Sequence, residues 1–153
     1  MGLPPELQGE SKAYAEMDRE YQSTRETLTL PVGIDWPAHA PNDTPVGEDE
    51  VAYEAGYGVA EAMRFWFCAW SHEWVTTINQ DSLRSEAALR HLQQYRNMLV
   101  YRYLVEGQAK VFLEATISGA ELGAADNVNQ YLASSCHQLA QQLRQSAPPA
   151  PAS

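Results

Sequence analysis

The stretch from residue 62 to residue 75 constrains the fold more than any other part of the chain. Met63, Trp66, Phe67, Trp70 and Trp74 follow one another at helical spacings, and Phe65, Cys68, Ala69, His72 and Val75 cover the adjoining face. Spacings of three and four place side chains on one side of an α-helix. Two such faces side by side leave little of the helix for water. A helix that is apolar nearly all round belongs at the centre of a structure, enclosed by others. We read Glu48 to about Asn79 as this helix, capped by Asp49, with acidic residues in its first turn where the helix dipole favours them. Gly56 and Gly58 each weaken such a helix by about 1 kcal/mol relative to Ala. They are expected to permit close contact with a neighbouring helix.

The partners of this helix follow from the rest of the pattern. Ser11 to about Leu28 reads as a helix, with Ser11 as cap and Tyr14, Met17, Tyr21 and Leu28 on one face. Residues 29–47 hold four prolines and two glycines, so they form a loop, with Ile34 and Trp36 pinned against the helices. A third helix starts at Asp81 or Ser82, carries Leu83, Ala87 or Ala88, Leu92, Tyr95 and Leu99, and breaks near Arg96-Asn97. A short helix over Met98 to Val105 is stopped by Gly107, and another over Ala109 to about Ile117 is ended by Gly119 and Gly123. Asp126 caps a last helix whose stripe is Val128, Leu132, Cys136, Leu139 and Leu143. The expected architecture is all-α: a single-domain bundle of four to five helices, with an aromatic-rich central helix and a Pro-rich loop packed on it. Residues 1–10 form a flexible leader, 11–145 the helical domain and 146–153 a disordered Ala/Pro tail. At 153 residues and 44% apolar, the chain has the material for one core.

Charge removes several functions. Twenty acidic residues stand against ten basic ones, and only Lys12 and Lys110 are lysines. Binding to a phosphate backbone needs clustered Lys and Arg, so no nucleic-acid partner is expected. Attachment to anionic lipid by charge is opposed in the same way. No apolar stretch approaches the ~20 residues that cross a bilayer, and the Met1–Glu6 start lacks the basic and apolar regions of a signal peptide.

The motifs for chemistry fail one by one. His72-Glu73 resembles the start of a zinc-protease motif, but Thr76 stands where the second His belongs. His39, His72, His91 and His137 show no metal-ligand spacing. Gly56-x-Gly58 lacks the later Gly and the Lys of a phosphate loop. Cys136 and His137 are adjacent, so on a helix they diverge by about 100° and form no dyad. Asn42-Asp43-Thr44 matches a glycosylation acceptor triplet. No catalytic residue, metal or cofactor is expected. Trp36, Phe65, Trp66, Trp70 and Trp74 admit two readings: plain core, or the wall of a ligand pocket between helices. Arg64 lies among them as a buried charge candidate and needs a carboxylate, with Glu61 and Asp35 both available.

Cys68 and Cys136 both fall on apolar stripes and should point inward. Facing helices bring Cα atoms within the ~4.4–6.8 Å that a disulfide needs. Closing the loop between them would contribute roughly 4 kcal/mol on the chain-entropy view. Two separate buried thiols are the other ordinary arrangement. A reactive thiol needs a cationic or helix-N-terminal setting, which the aromatic surroundings of Cys68 do not provide.

Taken together, Leu30-Pro31-x-Gly33-x-x-Trp36-Pro37, Tyr53-Glu54-x-Gly56-x-Gly58, Phe65-Trp66-Phe67-Cys68-Ala69-Trp70 and the late Cys136 resemble an uncharacterised group of exported or membrane-tethered domains from actinobacteria. The leader Leu3-Pro4-Pro5-Glu6-Leu7-x-Gly9-Glu10 is similar to the segment just outside the membrane in such proteins. The resemblance covers about two thirds of the chain and carries no established activity. It implies an extracytoplasmic location, a single N-terminal transmembrane segment in the full protein and a Cys68–Cys136 bridge. It implies no catalytic residues. The functional expectation is a non-enzymatic extracytoplasmic domain that serves as an interaction or structural module of the cell envelope, with an unidentified protein partner. The alternative is a bundle that binds a small molecule or lipid. An enzyme ranks third, because no convergent set of titratable groups stands out. A cavity of ~300 Å³ or more would favour the binder, and an exposed apolar patch with a polar rim would favour the interaction module.

Overall fold

A computed structural model describes residues 3–42 and 51–146. Its α-helices are α1 (Tyr14–Arg25), α2 (Tyr57–Thr77), α3 (Ser82–Gln94), α4 (Gly107–Glu121), α5 (Asp126–Ser135) and α6 (His137–Ser146). Short 3₁₀ turns occupy Pro5–Leu7 and Tyr95–Asn97, and a π-helix spans Val100–Leu104. The all-α expectation holds, with six α-helices among the described residues where four to five were expected. The one strand-like feature among them is an isolated antiparallel bridge between Lys12 and Tyr53.

Helix α2 is the centre, as its aromatic pattern requires. Phe65, Trp66, Phe67, Cys68, Trp70 and Trp74 are all buried and share one cluster with Leu92, Tyr95, Val100, Leu113, Ile117, Val128 and Leu139. Its start differs from the sequence reading. Residue 49 lies outside the described residues, and the helix begins at Tyr57, after Gly56 in the left-handed region at φ +89°. The cap comes from another helix. The Gly56 and Gly58 backbone N–H groups donate to the two carboxylate oxygens of Glu20 on α1, each at 3.1 Å. A side chain at Gly58 would meet the Met17 carbonyl at 2.1 Å, so α1 and α2 touch backbone to backbone there. The expected close contact at Gly58 is therefore present.

The Pro-rich loop crosses α1 and α2 as a strap held by its carbonyls. Trp66 Nε1 and Trp70 Nε1 both donate to the Thr29 carbonyl at 3.0 Å. Tyr21 Oη and Arg25 Nη1 donate to Pro37 O, and Tyr14 Oη donates to Ala40 O at 2.6 Å. Trp36 packs at 5.4 Å from the Phe65 ring, and Gln142 Nε2 on α6 donates to its carbonyl. Prolines leave carbonyls without a regular hydrogen-bond pattern, and these long polar side chains supply the missing donors.

Several boundaries move. Helix α1 starts at Tyr14 behind Ala13, so Ser11 does not cap it. In the leader Leu7 is buried, and a side chain at Gly56 would strike it. Helix α4 runs through Gly119 to Glu121, because the packing of that glycine against Asn127 outweighs its weak helix propensity. Asp126 opens α5 without a capping bond. The last predicted helix is two helices, broken at Cys136, whose backbone leaves the helical region at φ −121°, ψ 41°. Asp81 caps α3 as expected, accepting from the Arg84 N–H at 3.1 Å. The Ala/Pro tail beyond Ser146 and the Asp43-Thr44 part of the glycosylation triplet lie outside the described residues. No helix among the described residues is long and apolar enough to cross a membrane.

Candidate functional site

A cleft opens between α4, α5 and the Tyr95–Val105 segment. Helix α4 is anchored at its far end by ion pairs: Arg96 Nη2 donates to Glu114 Oε1 at 2.6 Å and to Glu121 Oε1 at 2.9 Å. Tyr101 Oη donates to Glu114 Oε2 at 2.6 Å. The Arg96 guanidinium and the Tyr101 hydroxyl hold the Glu114 carboxyl below its usual range. Arg96, with Gln93 beside it, brings Glu121 down to about 2. Aromatic rings also form the contact between α4, α5 and α2. Phe112 meets Tyr131 with ring centroids 5.7 Å apart, and Tyr131 meets Phe67 at 5.2 Å.

The opening so formed has a volume of about 970 Å³. Its apolar wall includes Val105, Val111, Phe112 and Leu113, and its polar groups include Arg64, Tyr95, Tyr131, Ser134 and Ser135. Tyr95 is fully buried, and its hydroxyl is the one buried side-chain polar atom among the described residues without a hydrogen-bond partner. The ring is fixed by the core, 4.3 Å from Phe67 and 6.2 Å from Tyr101. Burial raises the Tyr95 pKa; nearby Tyr131 adds to this, and the Arg64 charge opposes it. Tyr131 is pushed up to about 12 by burial, again against the Arg64 charge. Both phenols therefore stay protonated at any ordinary pH, so each can donate a hydrogen bond.

The residues singled out from sequence sort differently. Trp66, Trp70 and Trp74 are buried core, Phe65 with them, and Trp36 is partly buried beside Phe65. None of the five lines the cleft, so the pocket reading of these rings gives way to the core reading. His91 stacks flat on Trp70 at 3.6 Å, and His72 is half-buried, with burial lowering its pKa. Arg64 is not the buried charge expected: its side chain is 42% exposed. Of its two proposed partners it takes Glu61, one helical turn away at 3.1 Å, because an i,i+3 carboxylate reaches it without crossing the core. Its place is the cleft wall.

Cys68 and Cys136 are joined, with Cα atoms 5.7 Å apart and sulfurs at 2.11 Å. The bridge fastens α2 to the α5–α6 junction, directly after the cleft residues Ser134 and Ser135. No group of three or more His, Cys, Asp or Glu among the described residues could hold a metal ion.

The sequence reading missed Tyr131, Phe112 and Val105 as site residues and had Tyr95 only as part of a core stripe. One signal was present. Val111, Phe112 and Leu113 are consecutive, and three neighbours on a helix cannot all face one core. Val111 is accordingly 62% exposed at the mouth of the cleft. Comparison with family models, curated proteins and solved structures finds no match, so it adds nothing to the actinobacterial likeness.

Proposed function

We propose that this is a non-enzymatic extracytoplasmic binding domain whose site is the cleft between α4, α5 and the Tyr95–Val105 segment. The observation that carries the reading is the cleft's size and lining. About 970 Å³ lies at the upper end of the ~300–1,000 Å³ that small-molecule sites occupy, and an apolar wall with a few polar groups is their usual chemistry. The extracytoplasmic side is supported by the Cys68–Cys136 bridge, since disulfides persist in oxidising compartments. Tethering to the envelope by an N-terminal transmembrane segment rests on the sequence resemblance alone.

Titration with the neutral fluorophore N-phenyl-1-naphthylamine tests the binding claim. Saturable one-to-one enhancement, abolished by Ala109→Trp at the exposed edge of the cleft, supports it. Wild-type protein without a saturable signal overturns it. The compartment has a separate test. Protein recovered unreduced from its native host and then denatured should show no titratable thiol, and two thiols would remove the argument for export.

A second reading, a docking surface for a protein partner in the cell envelope, is favoured by the cleft's mouth. Val111 is 62% exposed there, Leu104 37% and the neighbouring Tyr103 38%. Apolar side chains in one patch mark a surface that something covers. If the fluorophore fails to bind, this reading takes precedence.

A further inference from the structure

The polar groups of the cleft indicate what kind of ligand fits it, given the binding role proposed above. The Tyr95 hydroxyl is enclosed, lacks a partner and belongs to a residue that lines the cleft. Leaving a buried hydroxyl unsatisfied is costly, so such groups are rare in native proteins and call for an account. Arg64, Tyr95 and Tyr131 all line the same cleft. Glu61 takes only Nη1 of Arg64. A guanidinium has five N–H donors in a fork that matches a carboxylate. The cleft thus joins the Arg64 donors and a hydroxyl without a partner to the acceptors of Glu106, Gln108, Ser134 and Ser135 at its lining. Beyond these groups runs the apolar wall of Val105, Phe112 and Leu113.

We propose that the cleft takes a single-chain amphiphile with a carboxylate head, held by Arg64 and the Tyr95 hydroxyl, its hydrocarbon chain lying along Val105, Phe112 and Leu113. The opposing charges are few at this spot. Glu106 sits exposed at the edge of the cleft, where water and salt screen it, and Glu61 is already paired with Arg64. The net charge of −10 slows the approach of an anion but acts over a longer range than the contact itself. A cationic head would face Arg64 directly, and a hydroxyl head would leave the charge-assisted bond unmade.

The probe is dodecanoate, kept below micelle formation and competed against bound N-phenyl-1-naphthylamine, with dodecanol and dodecyltrimethylammonium as controls. Dodecanoate should displace the fluorophore at roughly tenfold lower concentration than either control, as one charge-assisted hydrogen bond implies. Arg64→Gln should erase that preference while the fluorophore still binds. Tyr95→Phe supplies a readout that a purely structural tyrosine would not give. It should raise the melting temperature of the empty protein, because it removes an unsatisfied hydroxyl, and it should weaken dodecanoate severalfold. Equal displacement by dodecanol and dodecanoate, or a preference that survives Arg64→Gln, overturns the carboxylate assignment and leaves the cleft-binding reading standing. Failure of the fluorophore itself to bind overturns both.

Discussion

Helix α2 is covered in two contrasting ways. Helix α1 and the strap come against it through glycine and backbone: a Cβ at Gly58 would lie 2.1 Å from a main-chain oxygen, and seven side chains from α1, α2 and α6 donate to strap carbonyls. Helices α5 and α6, ten residues each, join its core cluster through side chains, Val128, Tyr131 and Leu139 among them, and through one disulfide. The first covering brings two backbones into contact at Gly58, and no disulfide crosses it. The second keeps a large opening beside it. On this side the Cys68–Cys136 bridge adds a covalent link between α2 and the α5–α6 junction. The cleft of about 970 Å³ opens on this second side.

Removing the staple should have the largest effect. With both cysteines replaced by Ala, the 68-residue separation predicts a loss of roughly 4 kcal/mol in urea unfolding, and a loss under about 1 kcal/mol would show that packing alone holds α5 and α6. The dense side comes next. Gly58→Ala drives a methyl into the Met17 carbonyl and should cost about 3 kcal/mol, the upper end of ordinary overpacking, read from the same curves. If it is tolerated, α1 and α2 are not locked. Glu20→Gln tests the cap between helices. Its loss should cost about 1 kcal/mol, with exchange protection falling first at the Gly56 and Gly58 amides. The smallest effect is the acid response of the α4 anchor. Glu121 is held at about 2 in the folded protein against an ordinary 4.5, and Glu114 is also lowered. A depressed carboxylate stabilises the fold above its unfolded value, and that stability drains away as pH falls from 4.5 toward 2. Both groups are partly exposed, so the change should stay within about 1 kcal/mol, and Arg96→Gln should flatten it. An unchanged acid limb in that variant would detach the anchor from the cleft's geometry.

Much of the dense side could be read from the chain. The Trp66–Trp70 pattern demanded a central helix, the prolines demanded a strap, and Gly58 stood where a close crossing was expected. The start of α2 could not be read, because its cap is a glutamate 36 residues earlier in the chain. The cleft was even less visible. It depends on how far apart α4 and α5 settle, and periodicity tells which face of a helix is apolar without telling whether that face is filled. Tyr95 looked like any core aromatic, since a hydroxyl without a partner is a property of its surroundings.

The sequence by itself determined an all-helical chain built around the aromatic run of residues 62–75, because side-chain spacing and proline geometry are local and act before any long-range contact forms. Only the tertiary structure decided that α2 begins after a left-handed Gly56, that the last helix breaks at Cys136, and that Arg64 and Tyr95 share an opening. These depend on groups far apart in the chain reaching the same few ångströms of space, and spacing along a sequence carries no record of that distance.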